Sequence, residues 1–92
     1  MQVKVKFFAT FREIFNANEI EIELEGAPNL QQLLNSLCKS RKCRRQIFER
    51  SGELRPSVVI LKNGKQIQSL DGVQTSLEAG DTIAMFPPLG GG

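Results

Sequence analysis

The last six residues, Pro87-Pro88-Leu89-Gly90-Gly91-Gly92, hold the group in this chain best suited to chemistry, the α-carboxylate of Gly92. A terminal carboxylate has a reference pKa of about 3.3 to 3.7, so it is ionised at neutral pH and nucleophilic towards a phosphate that another protein positions. It needs access more than activation. Glycine at 90, 91 and 92 removes every Cβ, which lets the backbone thread a narrow channel and leaves the acyl carbon open to an incoming group. Pro87 and Pro88 close the apolar run "DTIAMF" and favour an extended, polyproline-like exit. At about 3.3 Å per residue, residues 87–92 span roughly 20 Å. A frayed end or a flexible linker fits less well, because linkers usually mix serine with glycine and do not follow directly on an apolar strand and a double proline.

The rest of the chain offers little chemistry of its own. There is no histidine and no tyrosine, which removes the commonest general base and a phenolic acid, so catalysis by the chain alone is not expected. Cys38 and Cys43 stand in "CKSRKC", and without imidazole the usual four-ligand zinc set cannot be assembled, so no metal is expected. Cys38 falls on an apolar helical stripe and reads as a small buried hydrophobe. Cys43 lies past the expected helix end among Arg41, Lys42, Arg44 and Arg45, where positive neighbours lower a thiol's pKa; it reads as incidental.

Seven of the twelve basic residues fall between Lys39 and Arg55. Docking to an acidic partner or to phosphate is one reading of that run. The preferred one is a solvated face with Ile47, Phe48 and Leu54 turned inward, since no aromatic stacking platform accompanies the charge. The formal net charge of only +2 likewise gives no argument for nucleic acid. No apolar run of about 18 residues exists and the start, "MQVKVKFFATF", alternates charge, so neither membrane span nor signal peptide is expected and the default is cytoplasmic.

The elements that must position the tail follow from periodicity. "VKVKFF" places Val3, Val5 and Phe7 on one face and Lys4, Lys6 and Phe8 on the other, and "EIEIEL" places Ile20, Ile22 and Leu24 opposite Glu19, Glu21 and Glu23. Both are half-buried strands, and lysines facing glutamates favour antiparallel neighbours. The connection "ATFREIFNAN" has room for a helical turn. Leu30, Leu33, Leu34, Leu37 and Cys38 recur at helical spacing behind Asn29, a good N-cap. "SVVILKNGKQIQSL" reads as a hairpin around Asn63-Gly64, which tolerates the positive φ angles of a type I′ turn. Turns fill "LDGVQTSLEAGD", and "DTIAMF" is a last, core-bound strand. The class is α+β, one main helix packed on a mixed sheet.

The stretches "VKFFATFREI", "LKNGKQI" and above all "LEAGDTIAMFPPLGGG" resemble the MoaD-like and ThiS-like ubiquitin-like sulfur carriers, which include the small subunit of molybdopterin synthase. The resemblance runs nearly end to end, and its most specific part is Gly80-Asp81, the apolar strand, Pro87-Pro88 and Gly91-Gly92 in register with the chain end. It implies a β-grasp domain over 1–86 and an extended tail over 87–92. It implies further that an E1-like adenylyltransferase, using ATP and magnesium, adenylates Gly92, and that a persulfide donor converts it to a thiocarboxylate. Gly90, Gly91, Pro87 and Pro88 would thread the partner's active site; apart from the resemblance, Phe8 and Phe86 with Leu89 read either as an exposed apolar docking patch beside the tail or, for the two phenylalanines, as core. In the molybdopterin case the partner is the large synthase subunit, in a heterotetramer. The alternatives are a carrier for thiamine or cysteine synthesis, a protein modifier joined to target lysines through Gly92, and a plain β-grasp interaction module.

Overall fold

Alternation of apolar and charged residues sets the first strand pair. In the computed structural model, which describes residues 1–88, β1 (Gln2–Phe7) pairs antiparallel with β2 (Glu19–Glu23), with Lys4 opposite Glu21 and Lys6 opposite Glu19. Val3, Val5 and Phe7 are buried beneath this ladder as the period-two pattern requires. Between the strands, α1 (Thr10–Phe15) is pinned by Phe11, which is fully buried, and by Phe15, whose ring stacks on Phe7 at 4.3 Å.

α2 (Leu30–Leu37) starts at a complete capping box: the Asn29 side chain accepts from the Gln32 amide at 3.0 Å, and the Gln32 side chain accepts from the Asn29 amide at 2.9 Å. Two otherwise orphaned amides are thereby satisfied. Leu30, Leu33 and Leu34 are fully buried, each contributing about 1.5–3 kcal/mol through removal from water. A second helix, α3 (Arg41–Ile47), follows at once, capped by the Ser40 side chain, which accepts from the Cys43 amide at 3.1 Å. Ile47 and Phe48 are buried and Leu54 packs against the core, as expected for the basic segment.

The cysteines depart from their sequence reading. Cys43 lies past the end of the leucine helix α2, as expected, but within a second helix, α3, and it is joined to Cys38 in a disulfide with Cα atoms 5.4 Å apart. The reason is local. A continuous helix would put residues five apart on divergent faces, but α2 stops at Leu37, and Cys38 (φ −104°, ψ 87°) turns the chain so that α3 folds back. The thiols are neither a lone hydrophobe nor a lone reactive group.

β3 (Val59–Lys62) and β4 (Lys65–Gln66) form the expected hairpin. Asn63 (φ 49°) and Gly64 (φ 86°) both take the left-handed conformation the tight turn demands. After two single-turn 3₁₀ segments, Ile67–Ser69 and Gly72–Gln74, the chain enters β5 (Thr82–Phe86). β5 lies at the centre of a five-stranded mixed sheet of order β2-β1-β5-β3-β4, parallel to β1 and antiparallel to β3. One face of the sheet and the helices share a single core. Among the described residues no helix is long and apolar enough to cross a membrane.

Candidate functional site

The last strand is held at both ends by different means. At its start, Asp81 is buried and accepts from the Asn63 side chain at 2.9 Å and from the Glu78 amide at 2.8 Å, with the Lys62 ammonium 3.6 Å away. Asn63 also accepts from the Thr82 amide at 2.9 Å. The hairpin turn is thus latched to the first residues of β5. Burial by itself pushes the Asp81 carboxyl up, but hydrogen bonds from Asn63 and Glu78 together with the Lys62 charge outweigh it and hold it below its ordinary value.

This latch fixes register. With Lys62 opposite Ile83, Ile60 falls opposite Met85 and Val59 opposite Phe86. Ile83 and Met85 are then buried, whereas Phe86 faces the other side of the sheet and is only half-buried. Phe8 faces the same way, because its amide donates to the Met85 carbonyl at 3.2 Å and carries the β1–β5 ladder one step past the end of β1. The two rings stack with centroids 4.3 Å apart and planes 10° off parallel, an arrangement worth about 0.5–1.5 kcal/mol beyond the area it covers.

A cation completes the site. The Arg12 guanidinium stands 5.6 Å from the Phe8 ring centroid, and its Nε donates to the Phe7 carbonyl at 3.0 Å. Arg12 reaches there because Ala9 (φ 51°, ψ −133°) reverses the chain immediately after Phe8 and starts α1. That backbone conformation is one a residue with a Cβ rarely adopts.

Pro87 is buried and Pro88 half-buried, so both touch the domain. Lacking amide hydrogens, they end the ladder at Phe86. Of the expected docking residues, the structure brings Phe8 and Phe86 together at the end of β5; Leu89 lies outside the described residues, as do Gly90, Gly91 and Gly92. Arg12 had no signal in sequence, since it stands in a connection whose fold depends on a strained alanine. Asp81 and Asn63 stood out in sequence as turn residues and within the stretches that carry the family resemblance, but nothing there joined two positions 18 apart. Among the described residues no three His, Cys, Asp or Glu side chains gather as metal ligands.

Residues 5–92 match the ThiS family. Small archaeal modifier protein 3 of Haloferax volcanii is 35% identical over 92 residues, with all of both chains covered. The molybdopterin synthase sulfur carrier subunit of Chlamydomonas reinhardtii is 28% identical, again over the whole of both chains. Among solved structures, small archaeal modifier protein 1 of Methanosarcina acetivorans superposes with a TM-score of 0.82 at 35% identity, covering 99% of this chain and 96% of that one. The fold is therefore the ubiquitin-like β-grasp.

Proposed function

This chain belongs to the ThiS family, and from that premise we propose that it is a sulfur carrier whose Gly92 is adenylated and then converted to a thiocarboxylate, serving as the small subunit of a molybdopterin synthase. In the first step the Gly92 carboxylate attacks the α-phosphorus of ATP in an E1-like enzyme, forming the acyl adenylate and releasing pyrophosphate. The terminal sulfur of a persulfide next attacks the acyl carbon and expels AMP, and a thiol cleaves the resulting S–S bond to leave the thiocarboxylate. The large synthase subunit and its pterin precursor would then receive the sulfur.

The observation that carries this reading is the stacked Phe8–Phe86 pair at the end of β5. An activating enzyme must recognise a surface and capture a terminus in one binding event, and here an apolar surface stands four residues ahead of the tail glycines, in the strand that leads to them. Aromatic rings left partly exposed on a sheet face suit partner contact. Gly90, Gly91 and Gly92 thread the partner's channel on this reading, and Leu89 extends the apolar surface.

One observation favours a second reading. The 35% identity with a protein named as a modifier fits a chain whose activated Gly92 is transferred to target lysines, through the same adenylate.

Intact mass spectrometry after incubation with the cognate activating enzyme, ATP and a persulfide donor tests both. A mass gain equal to replacing one oxygen by sulfur, mapped to Gly92, is expected. One extra residue appended after Gly92 is expected to abolish the gain. Lysine conjugates without any thiocarboxylate would establish the modifier instead, and no reaction of either kind would overturn both readings.

A further inference from the structure

We propose that the groove between α3 and the 48–55 loop is a binding site for an anion built of two or more linked phosphate groups. The groove, of about 970 Å³, is lined by Lys39, Arg41, Arg44, Arg45, Arg50 and Arg55, and among its lining residues Glu49 is the sole carboxylate. Its site is separate from the Phe8–Phe86 pair and does not rest on the reading of Gly92.

Folding alone gives no reason for this concentration of charge. The ion pairs among the described residues all lie elsewhere: Lys4 with Glu19, Lys62 with Asp81, and the N-terminal ammonium with Glu23. None of the six groove cations is in such a pair among the described residues. Arg41 stands in the first turn of α3, which holds no acidic residue, so it opposes the helix dipole where a carboxylate would be favoured. Six unpaired like charges repel one another and oppose compaction. An arrangement in which like charges are gathered at a cost in stability suits a ligand that neutralises them.

The walls are set in advance. The 48–55 segment is a small antiparallel lobe: Phe48 bridges Leu54, the Glu49 amide donates to the Glu53 carbonyl at 2.8 Å, and the Arg55 amide donates to the Ile47 carbonyl at 2.8 Å. Arg55 Nε donates to the Arg45 carbonyl at 2.9 Å, which orients its guanidinium and leaves both terminal nitrogens available. The Arg44 guanidinium lies over the Phe48 ring, 4.7 Å from its centroid. Five of the six cations are arginines, whose planar fork binds phosphate or carboxylate oxygens in pairs.

Charge density selects among anions. A phosphate monoester brings about 1.5 to 2 negative charges at pH 7, whereas an acidic peptide brings one per carboxylate together with the bulk of its backbone. A short phosphate chain therefore neutralises this groove within its volume. Nucleic acid fits less well, because the groove's aromatic residue, Phe48, is 4% exposed and covered by Arg44, leaving no face on which a base could stack.

Isothermal titration of the full chain with tripolyphosphate, ATP, orthophosphate and a pentaglutamate peptide tests the assignment. Tripolyphosphate is expected to bind at least tenfold more tightly than orthophosphate or the peptide, with affinity falling steeply as salt rises. Equal binding of ATP would identify the phosphate chain of a nucleotide as a ligand, and weaker ATP binding would identify a free phosphate chain; both support the site. The double variant Arg45→Ala, Arg55→Ala is expected to lose at least tenfold, Arg55→Lys several-fold because it keeps charge but not the fork, and Lys65→Ala nothing. All four alter exposed side chains, and unchanged thermal unfolding would verify that they fold. Absent tripolyphosphate binding, equal binding of the peptide, or affinity indifferent to Arg45 and Arg55 would overturn the proposal.

Discussion

Two places on this domain set an arginine over a phenylalanine, and they do so with the roles reversed. At the end of β5, Arg12 stands over Phe8 while Phe8 and Phe86 stay only partly buried. Beside α3, Phe48 is buried and Arg44 lies over it in a groove of cations. In the first, on the proposed reading, the ring is the surface offered to a partner and the cation supports it; in the second the ring is the anchor and the cation faces solvent. The same pairing thus makes an apolar surface or a charged one, depending on which member the backbone turns outward. In the first region the sheet decides, through the register of β5; in the second the break between α2 and α3 decides, by aiming Phe48 at the core.

That contrast predicts opposite consequences for the two rings. Phe48→Ala removes a core side chain and is expected to cost about 3–5 kcal/mol in denaturant unfolding, with activation of Gly92 unchanged in whatever fraction stays folded. Phe86→Ala is expected to cost only about 1–2 kcal/mol of stability, yet to raise the KM for the activating enzyme at least tenfold. If Phe86→Ala cost as much stability as Phe48→Ala and left KM alone, the comparison would fail and both rings would be core.

A smaller effect belongs to the strand that carries the patch. Asp81→Asn removes the charge that the latch stabilises and is expected to lower stability at pH 7 by about 1–2 kcal/mol. The sign of the pH dependence follows from the depressed carboxyl. The contribution is complete above the unfolded value of 3.8 and is lost as pH falls through the lower folded value. The stability gap between the two proteins should therefore begin to close below about pH 4 and vanish only below the lowered folded value; a constant gap down to low pH would show that the charge has no part in the latch.

The smallest effect expected is at Arg12. An exposed cation over a ring is worth about 0.5–1 kcal/mol and Arg12 also donates to the Phe7 carbonyl, so Arg12→Ala should shift stability by about 1 kcal/mol. It should raise the KM for the activating enzyme less than Phe86→Ala does, because it only steadies Phe8. A larger KM effect than that of Phe86→Ala would mean that the arginine itself meets the partner.

Much of this architecture follows from local pattern. The faces of β1 and β2, the capped leucine helix and the Asn63-Gly64 hairpin each depend on residues within a few positions of one another, where spacing and side-chain type act directly on φ, ψ and burial. The chemistry proposed for the tail is equally local, since it follows from what a glycine carboxylate is. The disulfide, the Asn63–Asp81 latch, the Phe8–Phe86 stack and the cationic groove were decided otherwise. Each joins residues whose separation in space depends on where a helix stops or which register a strand takes. Cys38 and Cys43 meet because α2 ends at Leu37; Phe86 meets Phe8 because β5 enters between β1 and β3. A linear pattern records which face a residue occupies within its own element, and only the packed sheet and helices fix which elements those faces meet.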